Sequence, residues 1–214
     1  MRHLTELFNI LEISRNQPQY GYALWGGNMR LGNIAEHQYM VTLIAWQLAT
    51  SINAKGGKLD IQKVLEIALI HDLGELFGGD IGLIYGTHNP KAKKLAKEFE
   101  AENLNFIAKL FGSDAQRVEA IGHETEKLET DESLIVKTAD LLEHCHYKFF
   151  MDVFVKADID IITDRLKNMG QKLSDIRAKA FMTQFSKEWQ AAMKKSTTFG
   201  QTVSKTLKNH GTRN

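Results

Sequence analysis

The sequence predicts an all-α protein, a compact single-domain bundle of helices with no sheet at its centre. Apolar residues recur at helical spacing along most of the chain, and no stretch alternates apolar and polar residues convincingly. The only two prolines, Pro18 and Pro90, fall outside the long periodic segments. At 214 residues, 43% hydrophobic and 25% charged, the chain has the size and composition of one sizeable globular domain.

Leu4, Leu7, Phe8 and Leu11 mark a first amphipathic helix. Residues 16–32 contain Pro18 and four glycines and read as a long loop, of the kind that more often carries function. Asn33 begins a second helix, because its side chain can accept the free amide of Glu36 three residues on. Ile34, Val41, Ile44 and Leu48 form its apolar stripe, and Gly56-Gly57 ends the segment. Asp60 is placed to cap a third helix that buries broadly through Val64, Leu65, Ile67, Ala68 and Leu69. Gly74, Gly78, Gly79, Gly82 and Gly86 mark a loop. Asn89-Pro90 joins a capping residue to a proline at the first helical position, and that helix runs through Leu95, Phe99, Leu104 and Ile107 to Gly112. Helices from about Asp114, from Asp131 to Val155, from Asp158 to Met169 and from Leu173 to Met193 complete the set. Residues 1–193 are expected to form the domain. Residues 194–214, with Lys194, Lys195, Lys205, Lys208 and Arg213 and no acid, are expected to be a basic, solvated tail.

The formal net charge is +1, so no global field points to nucleic acid or to an anionic membrane. Met40 to Ala49 is the longest apolar run; Thr42 and Gln47 interrupt it, and it is too short to span a bilayer. Glu6 and Glu12 break up any secretory leader. A single cysteine, Cys145, forbids an intramolecular disulfide and fits a reducing compartment. The expectation is a cytoplasmic protein with no membrane or nucleic-acid partner.

The chemistry concentrates in IALIHDLGELFGGDI, residues 67–81. His71 and Asp72 close an otherwise apolar helix, where a bare buried carboxylate would be costly. His37 lies on the apolar face of Ile34, Val41 and Ile44, and Asp140 sits among Ala139, Leu141 and Leu142. Each residue alone reads as a satisfied core histidine or a solvated aspartate. Together, three helices each bring a hard or borderline ligand inward, and two histidines with two carboxylates suit a divalent metal with open positions: Zn, Mn, Co or Mg.

The segments AEHQYMVTLIAWQLA, ALIHDLGELFGGDI and VKTADLLE resemble those of the HD-domain phosphohydrolases over residues 4–155. The likeness extends to bacterial 5′-deoxyribonucleotidases and to phage deoxynucleoside triphosphohydrolases, including those that remove dATP. This resemblance implies His37, His71, Asp72 and Asp140 as metal ligands and Glu75 as the acid beside the attacking water. It implies Asp80 as a second acid that orients water or protonates the leaving group, and Arg30 and Lys137 as cations near phosphate. Relatives associate as dimers or hexamers, so a homo-oligomer is expected. IGLIYG after the Gly-Asp pair, and the loop PQYGYALWGGNMR, depart from the relatives. Tyr22 and Trp25 in that loop could stack on a base. The altered loop favours hydrolysis of purine dNTPs to deoxynucleoside and triphosphate, or sequential dephosphorylation. The alternatives are a 5′-deoxynucleotidase acting on dNMPs only, a cyclic-nucleotide or ppGpp hydrolase, and a non-catalytic helical binding module.

Overall fold

The chain starts its helices largely where capping side chains are available. In a computed structural model, which describes residues 2–25 and 30–211, α1 spans Arg2–Leu11 and α2 spans Ile34–Ala54. Asn33 Oδ1 accepts the Glu36 amide at 2.9 Å at the head of α2. Asp60 accepts the Lys63 amide at 3.1 Å and opens α3, Ile61–Ile70. A short helix, α4 (Leu83–His88), forms within the glycine-rich stretch that the sequence marks as loop. Asn89 caps α5, Pro90–Ala108, through the Ala92 amide at 3.1 Å, with Pro90 at the first position. After a tight turn around Gly112, α6 covers Ala115–Lys127.

Helix α7 spans Asp131–Phe150 behind a reciprocal Thr130–Ser133 capping box. It ends five residues before the expected Val155, and Asp152 takes a left-handed conformation with φ 57. Helices α8 (Asp158–Lys172), α9 (Ile176–Lys195) and α10 (Phe199–Gly211) follow. The basic stretch expected to be a solvated tail is therefore largely helical. Phe199 explains this locally: its ring meets Phe149 at 5.9 Å and Phe150 at 5.1 Å, edge to face, so α10 is pinned at its start. Beyond that anchor α10 lies open, with Leu207 exposed.

Among the described residues there is no strand, only an isolated bridge between Pro18 and Asn33. The expected loop at 16–32 includes a 3₁₀ turn, Tyr20–Trp25, and is tied to the head of α2 by Gln19 N to Gly32 O at 2.9 Å and Ile34 N to Gln17 O at 3.1 Å.

The core lies where α2, α3 and α7 meet. Val41, Ala45 and Ile52 of α2, Val64 and Ile67 of α3, and Ile135 and Ala139 of α7 are all fully buried. Each such large aliphatic contributes about 1.5–3 kcal/mol on burial. The turn after α3 is pressed against α5. A methyl group on Gly74 would lie 2.5 Å from the Glu100 carbonyl oxygen, so only glycine fits. Asn103 of α5 donates to the Gly74 carbonyl at 2.8 Å and fixes the same turn from the other side. This packing brings the start of α2, the end of α3 and the middle of α7 to one place.

Candidate metal centre

His71 caps the end of α3, and its Nδ1 lies 2.8 Å from the Ala68 carbonyl oxygen. A carbonyl can only accept, so Nδ1–H donates there and Nε2 is the ring nitrogen left to face the site. That Nε2 lies 3.4 Å from Nε2 of His37, in the first turns of α2. His37 Nε2 is also 3.3 Å from Asp72 Oδ2 and 3.4 Å from Asp140 Oδ1, and His71 Nε2 is 3.5 Å from Asp72 Oδ2. His37, His71 and Asp72 thus each turn one donor atom onto a common point, a grouping that could hold a metal ion. A tetrahedral ion with bonds of about 2.1 Å separates its ligands by about 3.4 Å, so the donor set fits a divalent cation of that kind.

Asp140 completes the arrangement from α7. Its Oδ1 faces His37 while its Oδ2 holds the Lys137 ammonium at 2.6 Å. Burial would raise the Asp140 carboxyl, but Lys137 and His37 hold it well below the usual carboxylate range. Asp72 is likewise held at about 2 against burial, by the facing His71 and His37. The charge of Asp140 leads in pushing Lys137 up to about 12. Burial would lower His37, yet hydrogen bonds to Asp140, Asp72 and Glu143 outweigh it and raise the imidazole well above its ordinary value. In every case the site demands positive charge among its carboxylates, which a dication would supply.

The other expected residues divide. Glu75, in the turn after Asp72, is pushed well up by burial and by the charges of Asp72, Asp80 and Glu100, with Lys97 opposing. Asp80 has both oxygens engaged by backbone: Oδ2 accepts the Gly21 amide and Oδ1 accepts the Gly82 amide. It therefore staples the 19–25 segment to the turn after Gly79. Lys137 stands half-exposed beside Asp140. Arg30 is not brought into the cluster; its guanidinium pairs with Glu36 in an exposed contact. Tyr22, expected to present a flat face to a base, is buried instead. Its ring stacks on His144 at 4.6 Å, because the 3₁₀ turn directs it inward onto α7. The side chain of Trp25 lies outside the described residues.

Two contributors escaped the sequence reading. Glu143 is buried on α7, and its Oε2 sits 2.7 Å from His37 Nδ1. Its signal was present: three residues past Asp140, it is an acid among Leu141, Leu142 and Cys145, the same anomaly that marks Asp140. Gln19, whose Nε2 donates to Asp72 Oδ2 at 3.2 Å, left no such mark.

A helical bundle in which His37, His71 and Asp72 converge, with Asp140 beside them, places an adjacent His-Asp pair where it could hold a metal ion. The family described as HD domain matches residues 24–195, and the chain belongs to that family. It is 28% identical over 121 residues to a 5′-deoxynucleotidase of Photorhabdus laumondii, a region covering 56% of this chain and 60% of that protein. The match thus spans about three-fifths of that relative's length. A 5′-deoxynucleotidase of Pasteurella multocida is 29% identical over 163 residues, covering 76% of this chain and 75% of its own. Two solved archaeal structures share the fold. One, from Pyrococcus horikoshii, has a TM-score of 0.65 at 19% identity and covers 87% of this chain and 98% of its own. The other, a conserved hypothetical protein of Pyrococcus furiosus, has a TM-score of 0.62 at 22% identity, with 87% and 99% covered.

Proposed function

We propose that this chain is a metal-dependent phosphohydrolase that releases phosphate from deoxynucleoside 5′-monophosphates. The observation that carries the reading is the convergence of His37, His71 and Asp72, with Asp140 beside them, at ligand spacing. The relatives named as 5′-deoxynucleotidases support the monophosphate substrate over the dNTP triphosphohydrolase favoured by the loop sequence alone. The burial of Tyr22 also removes part of the argument for a purine stacked on that loop.

A divalent ion held by the four ligands would polarise a phosphoryl oxygen and make a water acidic enough to attack phosphorus near neutral pH. With two nitrogens and two carboxylate oxygens, the set suits Zn, Mn or Co, with Mg a poorer match. Glu75 receives the proton of the attacking water and returns it to the 5′-oxygen of the deoxynucleoside as the phosphorus–oxygen bond breaks; burial and neighbouring acids raise its carboxyl, which suits it to carry that proton. Asp80 keeps the turn beyond Gly79 in place through its two amide contacts. Lys137 spends one N–H on Asp140 and has two more to offer a phosphate oxygen. Arg30, paired with Glu36 outside the cluster, would have to leave that partner to meet phosphate.

The test is a turnover screen of all dNMPs, dNTPs and rNTPs with Mn, Co, Zn and Mg. Inorganic phosphate released from dNMPs is the expected result. Triphosphate released from dNTPs, with dNMPs untouched, overturns the monophosphate reading. Normal turnover by protein verified as metal-free overturns the mechanism.

The predicted self-association has support of its own. From residue 37 to 54, α2 has no Asp, Glu, Lys or Arg. Its outer side nonetheless shows Tyr39, Met40, Leu43 and Trp46, each more than a third exposed. No described helix is long and apolar enough to cross a membrane. A charge-free face of this kind pairs with a second copy of itself without like-charge repulsion. Light scattering should show an oligomer that Leu43→Glu dissociates; a monomeric parent protein refutes it.

A further inference from the structure

We propose that Tyr22 and Glu143 are positioning residues for metal binding: together they hold the Nδ1–H edge of the His37 imidazole, so that Nε2 is turned toward Asp72 and Asp140 as the nitrogen that would take the ion. This rests on the metal reading of the site given above.

The geometry is a chain of two hydrogen bonds meeting at one atom. The Nδ1–H of His37 donates to Glu143 Oε2 at 2.7 Å, and the Tyr22 hydroxyl donates to the same oxygen at 3.2 Å. All three side chains are buried, His37 at 5%, Glu143 at 6% and Tyr22 at 3% exposure. In such surroundings a carboxylate is held by its donors rather than by water, and losing one leaves it under-satisfied. The Tyr22 ring cannot swing away, since it stacks on His144 and tilts against Tyr147 at 4.8 Å. Burial, helped by Glu143, raises the Tyr22 hydroxyl far above its ordinary pKa, which keeps it a donor. A carboxylate behind a ligating histidine fixes the tautomer and increases the basicity of the nitrogen that binds metal.

The segment that delivers Tyr22 also touches two more acids of the site. Gln19 donates to Asp72, and the Gly21 amide donates to Asp80. Residues 19–22 therefore grip carboxylates on α7, in the turn after α3 and in the turn at 80, and link their relative positions. A tyrosine serving only the core would satisfy its hydroxyl on any nearby carbonyl. This one bonds to the oxygen that orients His37.

Competition with a chromophoric chelator would give the Zn and Mn affinities of the parent protein and of Glu143→Ala, Glu143→Gln, Tyr22→Phe and His37→Ala, with far-UV circular dichroism as a check on folding. Glu143→Ala is expected to weaken binding about 10–100-fold. Glu143→Gln, whose carbonyl still accepts from Nδ1–H, should lose less, and Tyr22→Phe should lose several-fold while the helices stay intact. If Glu143→Ala does not fold, Glu143→Gln and Tyr22→Phe decide alone. Folded Glu143→Gln and Tyr22→Phe proteins that both bind as the parent does overturn the proposal. A parent protein that binds neither metal defeats the underlying site instead, and His37→Ala binding normally does the same, so the two failures are distinguishable.

Discussion

Lys137 and Asp140, one helical turn apart on α7, share a 2.6 Å ion pair that occupies one carboxylate oxygen and leaves the other facing His37. The cation thus orients the carboxylate as well as lowering its pKa. Lys137→Ala should reduce kcat about 100-fold if the ammonium also meets phosphate. It should also move the acid limb of metal binding to higher pH, because Asp140 loses the charge that holds it down. Metal affinity measured between pH 4 and pH 7 checks the second effect. An unchanged profile means that Lys137 is a bystander.

Alanine at His71 or Asp72 should abolish tight metal binding and turnover while leaving the helical content intact. Both lie at the end of α3, so their side chains complete the site without forming the core beneath it. Elemental analysis of the purified variants, with circular dichroism alongside, is the measurement.

Glu75→Gln should separate stability from activity. Burial and neighbouring acids raise the Glu75 pKa, so its ionisation works against the fold. The contribution of this group is fully present below the ordinary carboxylate pKa of about 4.3 and is lost as pH rises through the raised value. The glutamine variant should therefore melt higher than the parent at pH 8, with the gap narrowing toward pH 5. Turnover should fall about 10²–10⁴-fold. A variant that melts lower at pH 8 contradicts the electrostatic account.

Metal loading near pH 7 should release about one proton from His37. In the metal-free protein three carboxylates raise this imidazole against the effect of burial. Its contribution to stability is complete below the ordinary value of about 6.5 and disappears as pH climbs through the elevated one. The metal-free protein should then soften toward alkaline pH, and metal should bind more tightly there. Calorimetric titration in buffers of different ionisation enthalpy counts the proton; a heat independent of buffer rules out the release.

Cys145 should be inert in the native protein. Burial pushes its thiol up to about 12, with Lys148 opposing only in part. Ellman's reagent at pH 8 should react fully only after denaturation. Rapid stoichiometric labelling of the folded chain would show the thiol to be open to solvent.

The sequence carried the helix starts because capping is local: Asn33, Asp60 and Asn89 each bond an amide three residues ahead. Helix ends were less legible. Apolar residues continue through Val153, Phe154 and Val155, so periodicity alone could not reveal that Asp152 would turn left-handed and stop α7. The helical tail depended on Phe199 meeting Phe149 and Phe150, a contact about fifty residues away in the chain. The His and Asp cluster was legible because each member is polar in an apolar stretch. Glu143 obeyed the same rule and was passed over. Gln19 and the inward turn of Tyr22 depend on how the 16–25 segment folds over α7, which no local pattern encodes.

Gly74 leaves no slack between the turn that holds Asp72 and Glu75 and the backbone of α5. That helix consequently behaves as a jig: whatever shifts it sideways also displaces Asp72 and Glu75. Substitutions on α5 far from any reacting atom should therefore be felt in the rate, through a helix that carries none of the ligands.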